Sequence, residues 1–326
     1  MAYAGAKTIA AAEIPVIDIR SIAGGDSGGY DRVAKALRAA AESIGFFYIT
    51  NHGIPEGVIE NAQAAAKAFF ALPSAEKLAV KMTDVHRGFI PVGEAKMYAR
   101  AKVDLKESFI WGIDVDPHDP ELKTNRLLGV NRWPARPAHM RAALGAFLAA
   151  NLECGRLMFR AFAASLGLPL DYFVAKYDKP AARGSVLYYP PQDASMGEDQ
   201  FGVATHTDYG CLTLVHQDPI GGLQVATRAG EWVVATPIPN TIVVNIGDLM
   251  ARWSNNHFKS TPHRVVNTAK VARYSMAVFV DPNAETLVVP ACGDEKPLFE
   301  PVTVGDYVLG RFDAAFAYRR QGSKPA

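Results

Sequence analysis

After Pro180 the chain changes texture, and this change limits the fold more than any other feature. Short apolar or alternating runs follow one another: "SVLYYP", "CLTLVHQ", "GLQVAT", "EWVVATPI", "TIVVNIGD", "HRVVNT" and "RYSMAVFV". Turn residues separate them, notably Gly221-Gly222 and Pro239-Asn240. Many short strands at this spacing predict a β-sandwich or a closed barrel. Upstream the periodicity is mostly helical. Val33, Leu37, Ala40, Ala41 and Ile44 recur on one helix face, Gly45 ends that helix, and "FFYIT" reads as a strand. "PEGVIENAQAAAKAFFALP" reads as a second helix stopped by Pro73, and residues 137–166 as one long helix. Its stripe is Met140, Leu144, Phe147, Leu148, Met158, Phe162 and Leu166. "IPVIDI" is a short strand and residues 74–135 are mixed and loop-rich. The expected organisation is an N-terminal helix and strand region (1–135), a spine helix with its connection (136–180) and a β-core (181–326), packed as one compact α+β unit. The final "YRRQGSKPA" reads as a loose tail.

Composition narrows the class. The chain has 326 residues, 49% of them hydrophobic, enough for a large core. A net charge of +1 without a basic or acidic run argues against nucleic-acid and membrane-surface partners. The three cysteines, Cys154, Cys211 and Cys292, are far apart and form no CxxC. They suit a reducing compartment and exclude a disulfide framework or a cysteine zinc site. The opening residues hold no uninterrupted apolar stretch of signal-peptide or membrane-spanning length. A cytoplasmic protein, monomeric or weakly homo-oligomeric, is expected.

The chemistry concentrates in "FGVATHTDYGCLTLVHQD", which places His206 and Asp208 two positions apart. In a strand, residues i and i+2 point the same way, so these two are expected to converge. His263, in "KSTPHRVVN" at the start of a later strand, is a third candidate. Two histidines and one carboxylate form a facial triad that leaves several positions of an octahedral metal open, which suits Fe(II) binding O₂ and a second molecule. Structural zinc sites are closed by four protein ligands. His52, His86, His118, His139, His216 and His257 are expected to pack, cap or lie on the surface. Ten residues beyond His263, Arg273 and Ser275 share one strand face with Ala277 and Phe279, while Tyr274, Met276, Val278 and Val280 take the other. A guanidinium inside an apolar strand needs a partner. Either a small-molecule carboxylate meets it bidentately, helped by the Ser275 hydroxyl, or a protein acid does.

With these residues in view, the sequence resembles the isopenicillin N synthase-like iron oxygenases, which include the 2-oxoglutarate/Fe(II) dioxygenases. The resemblance runs along nearly the whole chain. It is carried by "IPVIDI", "ESIGFFYITNHGIP", "FFALPSAEKLAV", "RGFIPVGE" and "DLKESFIWG", then by "YYPPQ", "THTDYGCLTLVHQD", "GGLQV", "VVNIGDLMARWSNNHFKSTPHRVVN" and "RYSMAVFVDP". It implies a double-stranded β-helix, or jelly roll, clad by helices of the N-terminal half. It implies that His206, Asp208 and His263 ligate Fe(II), and that Arg273 and Ser275 hold the distal carboxylate of 2-oxoglutarate with Tyr189. Many plant members carry Asn two positions before that tyrosine; this chain has Leu187. The implied reaction is oxidation of a small-molecule substrate by O₂ with release of succinate and CO₂, as hydroxylation, desaturation or ring closure.

The substrate pocket is less legible. Arg87, Phe109, Arg183 and Phe279 are candidates for it, and an arginine facing the cavity would imply an acidic substrate. Tyr209 reads as either core or gate, and Trp253 as packing. Asn245, Gly247 and Asp248 read as a turn shaping the barrel, and Gly221-Gly222 as a hairpin turn. No GxGxxG or P-loop precedes a helix. Two rival readings remain: an Fe(II) oxidase of the isopenicillin N synthase type that needs no 2-oxoglutarate, and a non-catalytic metal- or ligand-binding barrel.

Overall fold

The computed structural model describes residues 14–26, 28–94, 104–191, 201–267, 270–291 and 293–315, and the fold and site below are those of these residues. The tail read from "YRRQGSKPA" lies outside them. The N-terminal half runs β1 (Val16–Asp18), α1 (Arg20–Ala23), α2 (Gly29–Ser43), β2 (Phe46–Thr50), α3 (Glu56–Phe70), α4 (Ser74–Leu78), β3 (Gly88–Ile90) and β4 (Glu107–Gly112). Helix α2 buries Val33, Leu37, Ala40 and Ala41. Gly45 closes it at φ +68°, its N–H reaching the Ala40 carbonyl at 3.0 Å, a left-handed turn that glycine adopts without a Cβ penalty. The long helix α5 (Met140–Ser165) begins three residues later than the apolar period alone indicates. Its buried stripe of Leu144, Phe147, Met158 and Phe162 is the one the periodicity predicts.

The second half supplies β5 (Arg183–Tyr189), β6 (Val203–His206), β7 (Leu212–Gln217), β8 (Leu223–Ala226), β9 (Trp232–Val234), β10 (Thr241–Ile246), α6 (Asp248–Trp253), β11 (His263–Val265), β12 (Arg273–Val280), β13 (Leu287–Val288), β14 (Val302–Thr303) and α7 (Val304–Ala315). The strands form an eight-stranded sheet in the order β1-β2-β10-β7-β12-β5-β4-β3 and a four-stranded sheet in the order β6-β11-β8-β9, with β13-β14 as a separate pair. The architecture is a jelly roll within an α+β chain.

One expectation needs correcting. The β-core does not begin at residue 181, because β1 to β4 supply half of the large sheet. β2 pairs antiparallel with β10, and β4 with β5. A sheet ending at β10 and β5 would leave two edges of unpaired backbone groups, and the N-terminal strands cover both.

The large sheet separates two apolar layers. On its outer face Phe109, Trp111, Val186, Leu214, Met276 and Val278 pack beneath the helices in the main core. On its inner face Val203, Leu223, Val225 and Val265 of the small sheet meet Tyr48, Tyr189 and Val243 of the large one. Each fully buried large apolar side chain contributes about 1.5–3 kcal/mol. The inner layer is incomplete, and its gap is the site.

Candidate active site

His206 ends β6 and His263 opens β11, and the two are direct cross-strand partners. Their rings stand 4.2 Å apart, with Phe46 edge-on to His263 at 5.2 Å. Asp208 lies past the end of β6, so strand alternation does not bring it in. The turn does: the Asp208 carbonyl accepts from the Asp248 N–H at 2.8 Å. Its Oδ1 sits 3.7 Å from His206 Nε2 and 3.8 Å from His263 Nε2. The three ligand atoms lie within 4.8 Å of one another.

The protonation states fit a metal. The Ala204 carbonyl faces His206 Nδ1 at 2.8 Å and the Thr261 carbonyl faces His263 Nδ1 at 3.1 Å. A carbonyl only accepts, so each Nδ1 carries the proton and each Nε2 lone pair points to the common centre. Burial, with His263 alongside, lowers the pKa of His206 to about 3, keeping it neutral. Burial pushes Asp208 up, but the two histidines and the hydrogen bonds from Asn245 and Thr213 outweigh it and hold the carboxyl below its ordinary range. Asn245 Nδ2 donates to Asp208 Oδ2 at 2.7 Å, and the Thr213 hydroxyl donates to the same oxygen. Asn245 therefore belongs to strand β10 and fixes the Asp208 carboxylate; it is not a turn residue.

The triad opens into a cavity of about 160 Å³ between the sheets. Arg273, Ser275, Ala277 and Phe279 line it from β12, with Leu187 and Tyr189 from β5. Arg273 is 1% exposed. Its Nε donates to the Gly221 carbonyl, Nη1 lies 3.3 Å from Ser275 Oγ, and the guanidinium stacks 4.6 Å over the Tyr189 ring. No protein acid pairs with it among the described residues, which leaves donors toward the cavity. The Gly221-Gly222 turn (φ +76° and +99°) thus also supplies a carbonyl to this arginine. A Cβ on Gly222 would collide with the Val266 carbonyl oxygen. Leu187, opposite Ser275 in the ladder, places an apolar side chain beside the pair.

The remaining candidates divide. Arg183 and Phe279 line the cavity, as direct partners across β5 and β12. Arg87 does not. Its guanidinium is turned away and donates to the His86 and Leu127 carbonyls at 3.1 and 3.0 Å. Phe109 is also off the cavity, in the outer core edge-on to Phe69, while its neighbours Ser108 and Ile110 line the wall. Tyr209 lines the cavity near Phe312 of α7, and Trp253 packs against Phe173. Sequence reasoning missed Lys106, buried on the wall with Asp104 at 2.9 Å, and His86, stacked on Phe312 at 4.3 Å. Neither sits in a pattern that distinguishes it before β4 and α7 are placed.

Comparison with known proteins agrees with this geometry. Residues 14–136 match the family "non-haem dioxygenase in morphine synthesis N-terminal" and residues 172–282 the "2OG-Fe(II) oxygenase superfamily". The 2-oxoglutarate-Fe(II) type oxidoreductase hxnY of Emericella nidulans is 31% identical, over 96% of this chain and 94% of that protein. A homoarginine-6-hydroxylase of Oryza sativa subsp. japonica is 33% identical, over 91% of this chain and 95% of that protein. The crystal structure of a full-length Neurospora crassa protein in complex with alpha-KG and thymine superimposes with a TM-score of 0.83 at 31% identity, covering 92% of this chain and 96% of that one. With matches spanning both halves of the chain, the protein belongs to the isopenicillin N synthase-like family of 2-oxoglutarate- and Fe(II)-dependent dioxygenases.

Proposed function

We propose that His206, Asp208 and His263 hold the Fe(II) of this dioxygenase, and that Arg273 and Ser275, with the Tyr189 ring beneath, hold the far carboxylate of 2-oxoglutarate. The observation that carries the reading is a buried guanidinium with no protein acid among the described residues, on the wall of the cavity that the triad opens into. A carboxylate offsets that charge through charge-assisted hydrogen bonds worth about 1.5–3 kcal/mol each. Bound Fe(II) would supply O₂ activation coupled to decarboxylation of 2-oxoglutarate, giving succinate, CO₂ and an oxidised small-molecule substrate. The chain's own part is placement. The Ala204 and Thr261 carbonyls orient the imidazoles, Asn245 and Thr213 fix the carboxylate, and Val203, Val215, Leu223 and Val265 keep the cavity walls apolar. The buried thiols Cys154 and Cys211 fit a reducing compartment, in line with a cytoplasmic location. Anaerobic addition of 2-oxoglutarate to the Fe(II)-loaded protein should produce a weak visible charge-transfer band, and aerobic turnover should yield one succinate per substrate consumed. Substrate turnover under O₂ without 2-oxoglutarate would overturn the cosubstrate assignment.

A further inference from the structure

Arg183 opens β5 and Arg273 opens β12, and the two strands run antiparallel with Arg183 opposite Phe279 and Arg273 opposite Tyr189. Both arginines therefore face the cavity from opposite ends of one ladder, roughly 20 Å apart along the strands. Arg273 is taken by the cosubstrate in the reading above. Arg183 is 5% exposed and lies between the rings of Phe279 and Phe312, at 4.7 and 4.9 Å. Its one ionic partner among the described residues is Asp281, at 3.7 Å, too far for a hydrogen bond. Asp281 Oδ1 is taken by the Cys211 N–H at 2.6 Å, and its Oδ2 has no hydrogen-bond partner. No protein group accepts a hydrogen bond from the Arg183 guanidinium among the described residues, although this planar fork carries five N–H donors.

The charge count at this end is also unbalanced. Gly112 pairs with Arg183 across β4 and β5. The space its missing side chain leaves is filled by Arg87, whose Nη2 would lie 2.5 Å from a Cβ there. Arg87 and Arg183 are thus neighbouring guanidiniums, and the carboxylates that act on Arg183 are Asp281 and, from the triad, Asp208, which a bound metal would engage. Burial and the charge of Arg183 lower the pKa of Arg87 to about 10. Lys106, a third cation on the wall beside Arg183 and Arg273, is already paired with Asp104. A neutral carbonyl would satisfy N–H groups but leave a buried positive charge uncompensated, whereas one carboxylate answers both. Phe279, Phe312 and Ile110 line the same end with apolar surface.

From this we infer that the substrate is a small monocarboxylic acid with an apolar body, anchored by its carboxylate on Arg183. The inference rests on the assignment of Arg273 to 2-oxoglutarate. The test uses the full chain loaded with Fe(II) and 2-oxoglutarate. Aliphatic, aromatic and amino monocarboxylic acids are compared with their own primary amides. Binding is measured anaerobically by calorimetry, and stimulated succinate release under O₂. Acids should bind better than their amides by roughly 10- to 100-fold, the equivalent of one charge-assisted hydrogen bond. In Arg183→Gln that preference should collapse, and Arg183→Lys, which keeps the charge without the fork, should restore part of it. A wild-type panel in which no acid surpasses its amide overturns the proposal, as does a folded Arg183→Gln protein that keeps the preference. Should that variant not fold, the wild-type and Arg183→Lys panels still decide. Failure of the wild-type protein to bind 2-oxoglutarate before any acid is added would instead remove the underlying assignment.

Discussion

The two faces of the large sheet are built from the same strands and do opposite things. Along β12, Met276, Val278 and Val280 turn outward into the helical core, while Arg273, Ser275, Ala277 and Phe279 turn inward to the cavity. β7 repeats the division. Leu212 and Leu214 face the helices, and Thr213 and Val215 face the site. In β4, Phe109 and Trp111 are core, and Ser108 and Ile110 are wall. The outer face spends its residues on area removed from water, which is non-directional. The inner face holds buried polar groups whose value depends on a partner that the folded chain does not itself supply. One period-two pattern thus writes stability and function on alternate residues, and substitutions on the two faces should separate cleanly.

The largest effect should come from Asp208→Ala. Iron content and succinate release should both fall to background with little change in melting temperature, because the lost carboxylate contributes to the centre and not to the core. Next is Arg273→Met, which removes a bidentate charge-assisted contact of about 3–6 kcal/mol. The Kd for 2-oxoglutarate should rise by at least about 100-fold while Fe(II) still binds, a split that titration of metal and cosubstrate separately will show. On the other face, Phe109→Ala should lower unfolding free energy by about 3–5 kcal/mol, yet leave 2-oxoglutarate affinity per folded molecule unchanged. A change in that affinity would break the separation of faces. Asn245→Leu should weaken Fe(II) binding by roughly 10- to 100-fold through loss of the hydrogen bond that orients Asp208. Ser275→Ala should be mildest, at about 1 kcal/mol of 2-oxoglutarate affinity.

Much of this was readable from residues alone, for identifiable reasons. β12 shows its two faces because eight residues alternate without interruption. His206 and His263 were legible as ligand types, although their adjacency is a matter of register between β6 and β11. Phe109 was misplaced because "ESFIWG" is apolar on both faces, so its parity emerges only when Phe109 pairs with Val186 on β5. Arg87 and Arg183 could not be told apart for the same reason: one sits in a turn before β3 and the other opens β5, and only the sheet decides which enters the cavity. Thr213 carries no signal in sequence and Asn245 reads there as a turn residue, since their meeting with Asp208 depends on the β7–β10 ladder and on a turn after β6. The boundary at residue 181 failed because sheet edges recruit distant strands, a non-local pairing that composition does not register.

The twin hydrogen bonds on one oxygen of Asp208 have an arithmetic consequence. A carboxylate free to swing can chelate, filling two places of an octahedron. Tethered on Oδ2 by Asn245 and Thr213, this one would present Oδ1 alone, so with two imidazole nitrogens the chain would give a bound metal three ligand atoms rather than four. An amide and a hydroxyl would thereby set how much of the metal is left to its guests.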